Sequence, residues 1–130
     1  MKLTENFDLR EFNCKCGCGM PQDVLNNVRS VATQLQKVRE WVGSPIKINS
    51  AYRCINHNRS IGSKDSSQHV LGKAVDIVVS GYSPDEVYSI IDNLNNNPLS
   101  TLCVEFNGLG RYNTFTHADI RDTPAKWDNR

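Results

Sequence analysis

The sequence predicts an α+β fold in which a small antiparallel sheet packs with two main helices. Two stretches with apolar residues at helical spacing predict the helices, and about four short apolar runs set off by turns and loops predict the sheet. No internal repeat, linker or low-complexity run divides the 130 residues. They are expected to form one domain, 1–130, which at this size buries roughly two-thirds of the surface its unfolded chain exposes.

The first helix opens at Pro21 and Asp23 and carries Val24, Val28, Val31, Leu35, Val38 and Val42 on one face before Gly43 ends it. "PIKINSAYR" reads as a strand with Ile46, Ile48 and Ser50 on one side, running out toward Arg53. From Cys54 to Ser67 the chain is polar and aperiodic, and such a long loop in a small domain usually serves a site. "AVDIVV" is the next strand. Ser83, Pro84, Asp85 and Glu86 then spell a capping box with proline at the first helical position, and Val87, Ile90, Ile91 and Leu94 supply the second buried stripe. That helix stops in "NNNP". Residues Thr101 to Phe106 suit a strand, "NGLGRYN" is rich in turn residues, and "TFTHADIR" is the final strand.

Composition narrows the function classes. Hydrophobic content of 38%, charged content of 22% and a net charge of +1 describe a globular protein without the basic excess of a nucleic-acid binder. No window reaches the length of a membrane span, and the N-terminal "MKLTENFDLREF" lacks a signal peptide's apolar core, so synthesis in the cytoplasm is expected. Cys14, Cys16 and Cys18 cluster in "CKCGCG", with Cys54 and Cys103 far along the chain. Structural zinc sites usually use Cys-x-x-Cys, because Cys-x-Cys in an extended chain points its sulfurs less conveniently at one ion. The expectation is therefore a reduced surface loop, or one cysteine packed beside Cys54, ahead of a metal site.

Asp76 lies inside an apolar strand, and strand alternation puts it on one face with Ala74 and Val78 while Val75, Ile77 and Val79 take the other. A carboxylate there is costly unless it is paired, hydrogen-bonded or bound to a cation. His69 can return to the same place because Gly72 permits a tight backbone approach. Catalytic zinc usually takes three protein ligands and keeps one position open. His117 can complete a His, Asp, His set, and alternation sends Phe115, His117, Asp119 and Arg121 to one side of their strand. His57, in "INHNRS", reads as an exposed loop residue. Taken singly, each of these residues has a plain structural explanation, such as a satisfied core histidine or a turn-capping aspartate.

Ser67, His69, Gly72, Ala74 and Asp76 match, position for position, the S-x-H-x-x-G-x-A-x-D signature, and in this the chain resembles the M15 zinc peptidases, the D-Ala-D-Ala carboxypeptidase-like enzymes of cell-wall metabolism and phage lysis. "INSAYRCINHN" is similar to that family's S-G-Y-R segment, with Ala51 in place of the glycine. "NGLGRYNTFTHADIR" looks like its closing strand, and "FDLREFNCKCGCG" resembles the start of its short single-domain members.

The resemblance implies a Hedgehog-like and DD-peptidase-like fold, with Zn2+ held by His69, Asp76 and His117. It implies Arg53 facing the substrate, where a guanidinium fork suits a carboxylate or a polarised carbonyl, and Ser67 orienting the site by hydrogen bonding. Many members carry a Glu or Asp general base three residues before the last histidine, but here that position is Thr114. Asp119 is the expected replacement, with a hydrogen bond that orients a ligand as its alternative role, and Glu105 is a weaker candidate. The implied reaction is zinc-assisted hydrolysis of amide bonds in peptidoglycan stem or cross-bridge peptides, as carboxypeptidase or endopeptidase. The expected setting is phage- or prophage-related wall lysis. An inactive zinc-binding module and a virion structural component are the competing readings.

Overall fold

The apolar stripe that predicts the first helix folds as α1, Gln22–Val42, in a computed structural model that describes residues 1–97 and 102–130. Its buried positions include Val24, Val28, Val31, Leu35, Val38 and Val42, and Gly43 ends it in the left-handed conformation with its N–H on the Arg39 carbonyl. Next come β1, Ile46–Ser50, the short α2, Ile55–Ser60, and a 3-10 turn over Gln68–Leu71. Strand β2 is Ala74–Val79 and helix α3 is Pro84–Leu94. Three four-residue strands close the fold: β3, Gly108–Arg111, β4, Thr116–Asp119, and β5, Ala125–Asp128. None of the described helices is long and apolar enough to cross a membrane.

The capping box of α3 forms as read. Ser83 Oγ accepts from the Glu86 N–H and the Glu86 carboxylate accepts from the Ser83 N–H, an arrangement worth about 1 kcal/mol at a helix start.

The five strands order as β1-β2-β4-β3-β5. Three of the four pairings are antiparallel and β3 with β5 is parallel, so the fully antiparallel sheet expected from the sequence is corrected to a mixed one. Val75, Ile77, Val79, Leu109 and Ala118 join the buried stripes of α1 and α3 in one hydrophobic cluster. Because side chains alternate along a strand, Asp76, His117 and Asp119 project from the other face.

Three further expectations change. Residues 55–60, read as loop, form α2, whose buried Asn58 donates its side-chain N–H to the Lys64 carbonyl; six residues are too few to show a helical period. In the strand expected over Thr101 to Phe106, Thr101 lies outside the described residues and Val104 makes only an isolated bridge to Asn95. The strand that actually borders β4 is "GLGR", whose glycines read as turn signals but serve a spatial purpose described below.

Candidate metal centre

Sheet register builds the site. Ser50 pairs with Asp76, Asp76 with His117, His117 with Gly110 and Gly110 with Trp127, so one transverse row crosses all five strands. Residues opposite each other in a ladder share a face, and Asp76 and His117 are therefore neighbours by backbone pairing alone. The next row holds Ala74, Asp119, Gly108 and Ala125.

His69 reaches this row from the 3-10 turn before β2. That turn ends at Gly72, whose φ of +74° is left-handed and whose hypothetical Cβ would meet Val24 of α1 at 2.7 Å. The chain can thus double back against the helix only with glycine there. Ser67 caps the turn, its Oγ accepting from the His69 N–H at 3.2 Å.

Each imidazole has one nitrogen held and one aimed at Asp76. His69 Nδ1 lies 2.6 Å from the Ala51 carbonyl oxygen, which can only accept, so Nδ1 carries a proton and donates it there, leaving Nε2 to face Asp76 Oδ2 at 3.2 Å. His117 Nε2 lies 2.7 Å from Asp119 Oδ2, and its Nδ1 lies 2.9 Å from Asp76 Oδ1. A carbonyl or carboxylate that fixes the tautomer of a ligating histidine is the usual support of a metal site. One donor atom from each of His69, Asp76 and His117 lies within 4.8 Å of the others, and the two-imidazole, one-carboxylate set fits a divalent zinc ion.

Electrostatics agree with this geometry. Burial opposes charge on Asp76, but hydrogen bonds from His117 and His69 outweigh it and hold its carboxyl well below the usual range. Burial likewise opposes charge on His117, yet its hydrogen bonds to Asp119 and Asp76 raise its pKa. The Asp119 carboxyl is held low against its own burial, chiefly by Arg121 and then by His117.

Asp119 sits behind the site. Its side chain is 0% exposed; Oδ1 accepts from the Arg121 N–H and Nε, and Oδ2 from Arg121 Nη2 and His117 Nε2. Of the two roles expected for Asp119, general base or a hydrogen bond that orients a ligand, this geometry suits the second: its oxygens are already engaged by Arg121 and His117 and it does not line the cleft. Glu105 is exposed and away from the cleft, its backbone N–H bonded to the Gln34 side chain. Thr114 is exposed, and His57 lies partly exposed on α2 with its N–H on Cys54 Sγ.

The cleft above the row has a volume of about 770 Å³. Arg53 lines one wall, its backbone N–H bonded to the His69 carbonyl at 3.1 Å and its buried Nε without an acceptor among the described residues. Burial lowers the Arg53 pKa, but an arginine remains charged in any case. Among the described residues, Asp76 is the only carboxylate that lines this cleft.

The family model for peptidase M15 matches residues 5–119. The chain belongs to the M15 peptidase family. No curated protein matches it at a significant level. M15 peptidases are typically zinc-dependent, and the His-Asp-His set supplies donors that such an ion takes.

Sequence reasoning missed the aromatic part of the cleft lining of this M15 peptidase. Trp127 lies on β5, its indole Nε1 donating to the Tyr112 hydroxyl at 3.0 Å and its ring 5.0 Å from that of His117. Tyr112 stacks on Phe115 with ring centroids 4.3 Å apart. Two glycines make room for these groups. A Cβ on Gly110 would strike the Trp127 indole at 2.5 Å, and one on Gly108 would overlap the Asp119 carboxylate. The G-x-G spacing was the available signal: two glycines two apart on a strand leave one face bare.

Proposed function

We propose that the protein is a zinc-dependent peptidase that hydrolyses amide bonds in the peptide part of peptidoglycan, with a DD-peptidase-like fold and a role in phage- or prophage-related wall lysis or remodelling. The observation that carries the reading is the pair of tautomer-fixed imidazoles converging on Asp76 at the floor of a cleft with an arginine in its wall. Bound there, zinc would polarise the scissile carbonyl and acidify the attacking water.

The chain's own residues do the rest. Asp119, clamped by Arg121, holds the His117 ring and keeps its proton on Nε2. The Ala51 carbonyl does the same for His69 at Nδ1, while Ser67 Oγ holds the turn through the His69 backbone N–H. Arg53 offers a partly desolvated guanidinium to the free carboxylate of a peptide stem or to the oxyanion that develops as the carbonyl is attacked. Tyr112 and Trp127 supply an aromatic wall against which a peptide can lie.

A second reading, a zinc-binding module without hydrolytic activity, draws support from Thr114 and from the enclosure of Asp119, which together leave no carboxylate beyond Asp76 lining the cleft among the described residues. Mass spectrometry of purified sacculi treated with the protein separates the two. Release of shortened or cleaved muropeptides, abolished by a chelator and restored by zinc, is the expected result, and the masses identify the bond cut. Intact sacculi in the presence of protein that carries zinc at His69, Asp76 and His117 would overturn the peptidase reading in favour of the module.

A further inference from the structure

The turn at residues 14–17 undoes the objection that Cys-x-Cys spreads its sulfurs. Gly17 adopts a φ of +81°, a left-handed value that glycine takes without strain, and its N–H closes on the Cys14 carbonyl at 3.0 Å. The loop curls, and its thiols gather on one side. Cys54, immediately after Arg53 and 40 positions from Cys14, arrives at the same spot.

Sulfur separations then suit a single ion. Cys14 and Cys16 Sγ lie 3.2 Å apart, Cys16 and Cys54 3.5 Å, and Cys14 and Cys54 3.8 Å, with Cys18 Sγ within 4.8 Å of the other three. Four sulfurs placed tetrahedrally about 2.3 Å from a zinc ion are about 3.8 Å from one another. A disulfide would need sulfurs at roughly 2.05 Å. Two backbone N–H groups also point at the cluster, from Cys54 onto Cys14 Sγ and from His57 onto Cys54 Sγ, each at 3.4 Å. Such donors offset the negative charge that thiolates carry when they ligate a metal.

We propose that Cys14, Cys16, Cys18 and Cys54 form a second metal centre, a closed four-thiolate zinc site that is structural rather than catalytic. Four protein ligands leave no open position for water or substrate. Binding replaces four S–H protons by one divalent ion and releases those protons to solvent. The ion cross-links the N-terminal loop to the residue that follows Arg53, and so anchors one wall of the cleft from outside. The site stands independently of the peptidase reading, since neither its residues nor its geometry involve His69, Asp76 or His117.

The test is metal and thiol counting on the intact protein, purified with zinc under reducing conditions and then freed of reductant. Two zinc ions per chain are expected, falling to one in Cys18→Ser and, separately, to one in His117→Ala. Only Cys103 should react with a thiol reagent in the native protein, and all five cysteines once a strong chelator is added. Cobalt substitution gives a readout that needs no variant: intense sulfur-to-metal charge-transfer absorption from the thiolate site, retained in His117→Ala. One zinc per chain with five reactive thiols, absence of the charge-transfer band, a mass deficit of two or four hydrogens from disulfides, or iron in place of zinc would each overturn the proposal. Loss of muropeptide release with two zinc ions still bound would count against the peptidase reading alone.

Discussion

His69, Asp76 and His117 are held by a sheet, with Asp76 and His117 directly opposite in the β2–β4 ladder and His69 one glycine turn before β2. Cys14, Cys16, Cys18 and Cys54 ride on loops and a helix cap instead, with no strand pairing among them. In the first region the backbone assembles the ligands, because the ladder also carries the core on its other face and a register slip would turn every side chain over. In the second no ladder sets the spacing: a turn, the burial of Cys14, the Tyr52 N–H on the Phe12 carbonyl and two N–H···S bonds bring the sulfurs together, so a bound ion would supply more of the order. The lesson is that a site destined for chemistry can be pre-built by the fold, while a cross-link can leave its own assembly to the metal.

The sharpest way to test that difference is to remove a sheet ligand. His117→Ala is expected to reduce muropeptide release to background and to eliminate one zinc ion while the far-ultraviolet circular dichroism stays native, since the ladder pairing does not depend on the imidazole. Loss of the native spectrum would show that the metal assembles this region too, and the contrast would fail.

Gly108→Ala probes the same idea one layer back. A methyl group there overlaps the Asp119 carboxylate, which must shift and release His117. Zinc affinity at the sheet site should fall by at least the 10- to 100-fold typical of losing a group that orients a ligand, roughly the span of that effect elsewhere. Unchanged affinity by competition with a chromogenic chelator would mean that Asp119 does not position His117. The thiol site should not respond in either case.

Much of the sheet site was legible because its chemistry follows backbone periodicity. Alternation alone put Asp76 on one face of its strand and His117 and Asp119 together on another, and the signature around Gly72 fixed the third ligand. The choice between the two roles read for Asp119 was not legible, because Arg121, two residues on and on the same face, turns back to occupy its oxygens, and a sequence does not say which neighbours close on which. The aromatic wall escaped for a related reason: β5 is four residues long and half exposed, so Trp127 shows no pattern until β3 pairs with it in parallel. The convergence of Cys54 on the cysteine loop depends on tertiary contact across 40 positions, and spacing within "CKCGCG" argued against it by assuming an extended chain.

A smaller substitution, Asp119→Asn, keeps a side-chain oxygen for the His117 Nε2–H but removes the charge, and zinc affinity should drop toward the low end of that same range, about tenfold. Arg53→Gln should leave zinc binding unchanged and raise KM for a peptide with a free carboxylate more than it lowers kcat. An equal effect on a substrate lacking the carboxylate would point to oxyanion stabilisation instead.

The finest distinction between the two regions lies in their response to pH. In the metal-free protein His117 has a carboxylate at each nitrogen and a pKa raised above its ordinary 6.5, so its charge contributes stability that is fully present below 6.5 and is lost as pH rises through the folded value. Zinc needs the Nδ1 lone pair and must displace that proton. Affinity at the sheet site should therefore fall as pH drops below the raised pKa, by at least about tenfold per pH unit, since Asp76 is already ionised there. In Asp119→Asn the charge behind the ring is gone, and the bend in the curve should move to lower pH. A cluster of four thiols that sheds its protons on binding should show a steeper curve than the sheet site, and zinc release followed by cobalt spectra at each pH would separate them. A bend that stays in place in Asp119→Asn would mean that Asp119 does not hold charge on His117 in solution, and the pre-built character argued for the sheet site would be lost.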